Sequence, residues 1–210
     1  MVYSVEKIQR DVRIAMDDYP QSPSLIALED VDAISIDKII KSKIEDAAKA
    51  VEIAAPLYML DSGHNFAEDV FWNSNFSGWT VLPDNFMRLI VFRMSDWERP
   101  VYAAISEGEP EYALQHSRFK GIRGNPQKPV CAITIRAEGK VLEFYSCNSD
   151  EATVEQAVYL PVPKLINGGI EICEQCYRPF IYQCAGMTAQ VLGENDSSAA
   201  LLNTAQSMIT

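Results

Sequence analysis

The sharpest chemical signal in this sequence is Cys173-Glu174-Gln175-Cys176. Two thiols three residues apart suit two kinds of chemistry, zinc ligation and dithiol redox exchange. A structural zinc needs four ligands, usually from two such pairs. Here Cys131 and Cys147 form no second pair, and His64 and His116 stand far off without ligand spacing. A redox dithiol belongs at the start of a helix beside a βαβ unit. Neither context is legible around residue 173, so both cysteines are read as small apolar residues on the inner face of a helix, in step with Phe180 and Cys184. On this reading they are buried and reduced, and neither a metal nor a cofactor is expected.

Other motifs are weaker. Asp61-Ser62-Gly63-His64 sets a serine near a histidine. Residues so close in sequence rarely make a catalytic triad, and no nucleophile elbow is present, so this reads as the turn after a helix. Gly121-Ile122-Arg123-Gly124 has the outline of a nucleic-acid-clamping GxxG loop. That loop must lie between two helices, whereas Pro126, Pro129 and a strand pattern follow here. No P-loop lysine accompanies it. Paired acids such as Asp17-Asp18 and Glu29-Asp30 read as solvated ends and loops. No catalytic residue is expected.

Charge is more informative. Residues 112–137 contain Arg118, Lys120, Arg123, Lys128 and Arg136 and no acidic residue, in a chain of formal net charge −11. The concentrated basic spot is a solvated loop or a contact with an acidic neighbour, either a partner subunit or DNA. The acidic segment "EGEPE" precedes it at residues 107–111, so one copy's acidic segment can meet the next copy's basic loop, as in head-to-tail contacts. Arg118, Phe119, Lys120, Arg123 and Lys128 are the candidate inter-subunit or channel contacts, with Phe119 as an aromatic anchor.

The elements that would position these residues follow from periodicity. At 210 residues and 48% hydrophobic content the chain suits one domain with a real core. The first residues lack an apolar segment, so no signal peptide is expected, and no run is long enough to span a bilayer. Five cysteines without an export signal point to reduced thiols. Residues 4–18 read as a helix capped by Ser4, and residues 37–55 as a second with an apolar stripe through Ile40, Ile44, Ala47 and Val51. From residue 65 the pattern turns strand-like. "GWTVLPDNFMRLIVFRMSDWERPV" gives strands punctuated by turns at Pro83-Asp84 and Asp96-Trp97. Here Trp79 is a core candidate and Trp97 a half-buried turn residue. Pro110 opens a short helix, "VCAITIR" and "KVLEFYSC" form a hairpin across Glu138-Gly139, and "VEQAVYLPVP" is a last strand. Helix returns between Glu171 and Leu192, kinked at Pro179 or broken near Arg178, with Gly193 ending it and Asp196 or Ser197 starting a final helix. The fold expected is α+β. A helical bundle formed by residues 1–60 and 168–210 carries an inserted antiparallel β-sheet or barrel at residues 65–165.

The order of these segments resembles a known family. "GWTVLPDNFMRLIVFR" is similar to the strand–Pro-x-x-Phe–strand passage of head–tail connector proteins of tailed bacteriophages, above all the tail-tubular-protein-A-like adaptors of short-tailed phages. "CYRPFIYQCAGMTAQVLGENDSSAALLNTAQSM" looks like that family's closing helix pair. The chain also resembles proteins of gut-bacterial phages, including crAss-like phages. Residues 104–130 have no counterpart. The resemblance implies a structural virion protein of the neck or tail, assembled in the host cytoplasm as a ring of about twelve copies. It implies contacts with portal and tail proteins, DNA passing through without sequence-specific binding, and no membrane. The rival classes are a small cytosolic enzyme and a monomeric regulatory or binding protein. A histidine within reach of a cysteine or serine in a pocket would favour the enzyme.

Overall fold

A computed structural model describes residues 1–16, 35–119, 121–145 and 147–209. Its class is α+β. In chain order the first elements are β1 (Val2–Ser4), α1 (Val5–Ala15), α2 (Ile36–Ala54), β2 (His64–Asn65), β3 (Phe71–Trp72), β4 (Gly78–Val81) and β5 (Phe86–Met94). Then come β6 (Ile105–Ser106), α3 (Pro110–Gln115), β7 (Cys131–Arg136), β8 (Gly139–Phe144) and β9 (Val154–Pro161). The chain closes with β10 (Leu165–Ile166), β11 (Gly169–Glu171), α4 (Tyr177–Leu192) and α5 (Asn195–Ser207). Short 3-10 turns occupy Leu57–Met59 and Glu174–Cys176. The chain divides into two units, one made of Met1–Ser62 with Pro163–Thr210, the other of Gly63–Val162.

In the first unit, α1 starts where Ser4 Oγ accepts the Lys7 N–H at 3.3 Å, and it buries Val5, Ile8 and Val12. The stripe on α2 buries Ile40, Ile44, Ala47, Ala48 and Val51. α4 packs against α1, α2 and α5. Its contact with α5 is close because residue 186 is glycine: a Cβ there would lie 2.7 Å from the Leu202 side chain. Asp17, Asp18, Glu29 and Asp30 fall outside the described residues.

The C-terminal helix differs from the expectation. Residues 169–171 form β11, which pairs antiparallel with β1 and β10, and α4 begins only at Tyr177. Ile170 and Ile172 alternate inward, which is a strand period. Asn167-Gly168 turns the chain between β10 and β11 with both residues at positive φ, 52° and 79°, as a two-residue hairpin requires. Pro179 is the third residue of α4. In that first turn no intrahelical acceptor awaits its missing N–H, so it breaks no ladder bond and the expected kink has no cause there. Gly193 ends α4 at φ 84°. The final helix begins at Asn195, with Glu194 rather than Asp196 or Ser197 in the N-cap position and no side-chain cap bond.

The second unit holds two sheets, ordered β2-β9-β5 and β3-β4-β8-β7-β6. Neither closes into a barrel. The β6–β7 pair is parallel, so the second sheet is mixed rather than antiparallel throughout. "RPVYAAI" is not one strand: Val101 makes a single bridge to Phe92, and β6 begins at Ile105. The β7–β8 hairpin forms as expected, in a register that pairs Arg136 with Gly139. Phe66, Leu89, Phe92, Met94, Trp97, Leu142, Phe144 and Tyr159 gather into the core of this unit. The tryptophans exchange their expected places. Trp97 is 2% exposed, with Phe92 and Phe144 meeting its ring edge-on. Trp79 is half-buried, stacked on Phe71 at 4.3 Å with the Arg136 guanidinium 4.8 Å from its ring centre.

Candidate functional site

Among the described residues three places gather chemistry-bearing side chains, two in the second unit and one in the first. In the second unit the basic segment is a turn anchored by α3. Gln115, buried at the end of α3, accepts the Gly124 N–H through Oε1 at 2.7 Å and donates from Nε2 to the Glu111 carbonyl at 2.9 Å. The Ile122 and Arg123 N–H groups both donate to the Phe119 carbonyl, and Lys128 N–H donates to the Asn125 carbonyl. The tight turn leaves large apolar side chains in water. Phe119 is 57% exposed, Ile122 52% and Leu114 49%. The Arg118 guanidinium lies over the Phe119 ring at 5.0 Å. Arg123 donates to the Asn75 carbonyl at 3.4 Å, while Lys128 is exposed in the next turn. Arg118 and Phe119 are therefore brought together, Arg123 is drawn toward Asn75, and Lys120 falls outside the described residues.

A buried polar cluster lies on the sheet of the same unit. Glu143 accepts from Tyr145 Oη at 2.6 Å and from Arg136 at 2.7 Å. Burial alone would raise its carboxyl. The Tyr145 and Arg136 bonds outweigh that and hold it below the usual carboxylate range. Burial, then the bond to Glu143, pushes the Tyr145 phenol up. Burial, then the Glu143 carboxylate, raises the Tyr112 phenol of α3, so this cluster lies beside the helix that anchors the turn.

In the first unit the C-x-x-C pair stands at the start of a helix. Cys173 holds the N-cap position of the 3-10 turn and Cys176 that of α4, neither making a side-chain cap bond. Cys173 is thus not on the Phe180 face of the helix, as its spacing had suggested. Both are fully buried free thiols. Ser62 Oγ lies 3.2 Å from Cys173 Sγ. The neighbouring Asp61 carboxylate accepts the Glu174 N–H at 3.1 and 3.2 Å. Glu52, only 2% exposed, accepts the Cys173 N–H at 3.0 Å. The Cys176 thiol hydrogen bond, overcoming the opposing effect of burial together with the Ser62 hydroxyl and backbone bonds from Ser62 and Asp61, lowers Cys173 to about 6. The other cysteines move the opposite way. Cys176 is raised by its bond to Cys173 and by burial. Burial pushes Cys147 and Cys184 up to about 12, and Cys131 well above the ordinary value. Burial likewise raises Glu52 to about 8, so it is largely protonated at neutral pH.

Sequence reasoning missed Asp61, Ser62 and Glu52 at this site. The only signal was the DSGH motif, and its histidine is not the residue that matters. His64 packs its ring edge on Tyr159, and His116 on Tyr112. Among the described residues no group of three or more His, Cys, Asp or Glu is placed to hold a metal ion, and no helix is long and apolar enough to cross a membrane. No protein-family model matches the chain, and no curated protein is similar to it.

Proposed function

We propose that this protein is a structural ring component of the head–tail connector type, in which a helical bundle built from both ends of the chain carries a β insertion that docks against neighbouring copies. The observation that supports this is the surface at Leu114, Phe119 and Ile122. Three large apolar side chains stand in water on one short segment with a cation over the aromatic ring. Such residues contribute little to an isolated fold and are typical anchors in an interface. The occupant proposed is a second copy of the chain. Its exposed Glu107–Glu111 segment offers the opposite charge, and a head-to-tail contact of this kind makes a ring where the rotation between copies closes. The excess of acid over base on the whole chain suits a DNA channel, because phosphate is repelled and slides.

The test is native mass spectrometry and electron microscopy of the purified chain, alone and with a portal protein, for the parent and for Phe119→Ala and Arg118→Glu. These two side chains are exposed, so both variants keep the fold. Rings from the parent and folded monomers from the variants are expected. A parent that stays monomeric under both conditions, or variants that assemble unchanged, would overturn the proposal.

A further inference from the structure

The placement of Cys173 and Cys176 fits chemistry that neither a ring contact nor a core position requires. We propose that they are a peroxide-sensitive dithiol: hydroperoxides oxidise Cys173, and Cys176 resolves the product into an intramolecular disulfide. Four observations support this. The pair sits where a chain turn enters a sixteen-residue helix, whose dipole favours negative charge on sulfur near its start. The turn is closed by the Cys176 N–H donating to the Cys173 carbonyl at 3.0 Å. A four-residue turn brings its end Cα atoms within about 7 Å, close to the span a disulfide bridges. The Cys176 thiol, which donates to the Met59 carbonyl at 3.9 Å, is the leading influence that lowers Cys173. Ser62, half-buried, is placed to donate its hydroxyl to an ionised Cys173.

Burial argues for inertness in a structural cysteine, and the other cysteines show what that means. Cys131, Cys147 and Cys184 are raised by burial, whereas Cys173 alone is lowered. It also lies beside exposed chain, with Asp61, Glu174 and Gln175 in water around it. Access needs a small reagent and a movement of the Ser62 side chain. That requirement selects a hydroperoxide over a bulky disulfide.

The chemistry balances. Cys173 sulfur, after shedding its proton, attacks one peroxide oxygen. The O–O bond breaks, Cys173 becomes a sulfenic acid, and the departing hydroxide takes up the released proton to leave as water, or as an alcohol from an organic peroxide. Cys176 sulfur then attacks Cys173 sulfur. The S–O bond breaks, and hydroxide leaves with the Cys176 proton as a second water. Two thiols are oxidised to one disulfide, and one peroxide is reduced.

The experiment treats the full-length folded protein with one equivalent of hydrogen peroxide and maps the product by peptide mass spectrometry. The expected product is a Cys173–Cys176 disulfide, formed at least about a hundredfold faster than any change at the other three cysteines, given their thiolate fractions. In Cys176→Ser, dimedone should trap a sulfenic acid at Cys173. Ser62→Ala, which leaves both thiols in place, should slow disulfide formation several-fold while the far-UV circular dichroism stays that of the parent. Failure of the pair to react until the protein is unfolded would overturn the proposal. So would oxidation that begins at Cys131, Cys147 or Cys184, or a Ser62→Ala protein that reacts at the parental rate. None of these outcomes depends on whether the chain forms a ring.

Discussion

Glu52 is the carboxyl whose protonation should be most visible in the stability of this protein. Burial raises it from 4.5 to about 8. The folded state therefore keeps a proton that the unfolded chain releases near the ordinary value. Its share of stability is complete below about pH 4.5 and is lost as pH rises through about 8. Cys173 acts in the opposite sense, since its folded value is lowered from 9.0 to about 6 and its share is lost as pH falls through that value. Asp61 and Cys176 also face the pair. The clean comparison is thus Glu52→Gln against Glu52, both in a Cys173→Ser background. The glutamine still accepts the backbone N–H at residue 173 and cannot ionise. Its stability relative to the glutamate form should grow on the order of 2–4 kcal/mol between acid and mildly alkaline pH. Urea unfolding across that range reads this directly, and parallel profiles would refute it. The tryptophans give a second contrast. Trp97→Ala should cost about 3–5 kcal/mol, because the whole ring is buried between Phe92 and Phe144. Trp79→Ala should cost about 1–2 kcal/mol. Little at this scale was legible in the sequence. Trp97 sits in a turn, yet the Trp97 N–H donates to the Met94 carbonyl and the ring folds back under β5. Ser62 and Cys173 meet across 111 residues, and no local pattern encodes such a meeting.

Elements were more legible, in proportion to their length. α1 and α2 follow from a 3.6-residue stripe, α3 from Pro110 in its first turn, and the β7–β8 hairpin from two alternating runs around a turn. β1, β10 and β11 have two or three residues each, too few to show a period. The one available signal was Asn167-Gly168, which marks a hairpin as plainly as any dipeptide can. Pro179 misled because a proline inside an apolar repeat reads as a break, whereas here it belongs to the first turn. Glycine at position 186 predicts a measurable consequence for the α4–α5 contact. Gly186→Ala gains up to about 1 kcal/mol of helix propensity. It also drives a methyl group to 2.7 Å from the Leu202 side chain and 3.2 Å from its backbone nitrogen, a crowding that costs about 1–3 kcal/mol. The variant should unfold at lower urea with an unchanged slope. A midpoint at or above that of the parent would mean that α5 shifts freely.

For the whole molecule, sequence order alone indicated α+β and a strand-rich middle. It did not indicate how the middle is arranged, because strands of two to nine residues pair across distances that no local pattern records. The assembly proposed for it makes a prediction at this scale. Reversing charge at Arg118 should leave the unfolding free energy of the isolated chain within about 0.5 kcal/mol of the parent. It should lower only the mass of the assembled species. Loss of both together would mean that the turn is part of the fold and not a contact. A separate consequence follows from β1 lying against β11. The first strand emerges from the ribosome about 170 residues before its partner does. α1 and α2 are synthesised early and must wait with their apolar stripes uncovered until α4 has been made. Residues 63–162 have by then been available to fold for the whole interval. Synthesis order thus opposes burial order in the first unit. Within this unit the earlier-made helices are sealed last, and during that delay their apolar stripes are open to other nascent chains.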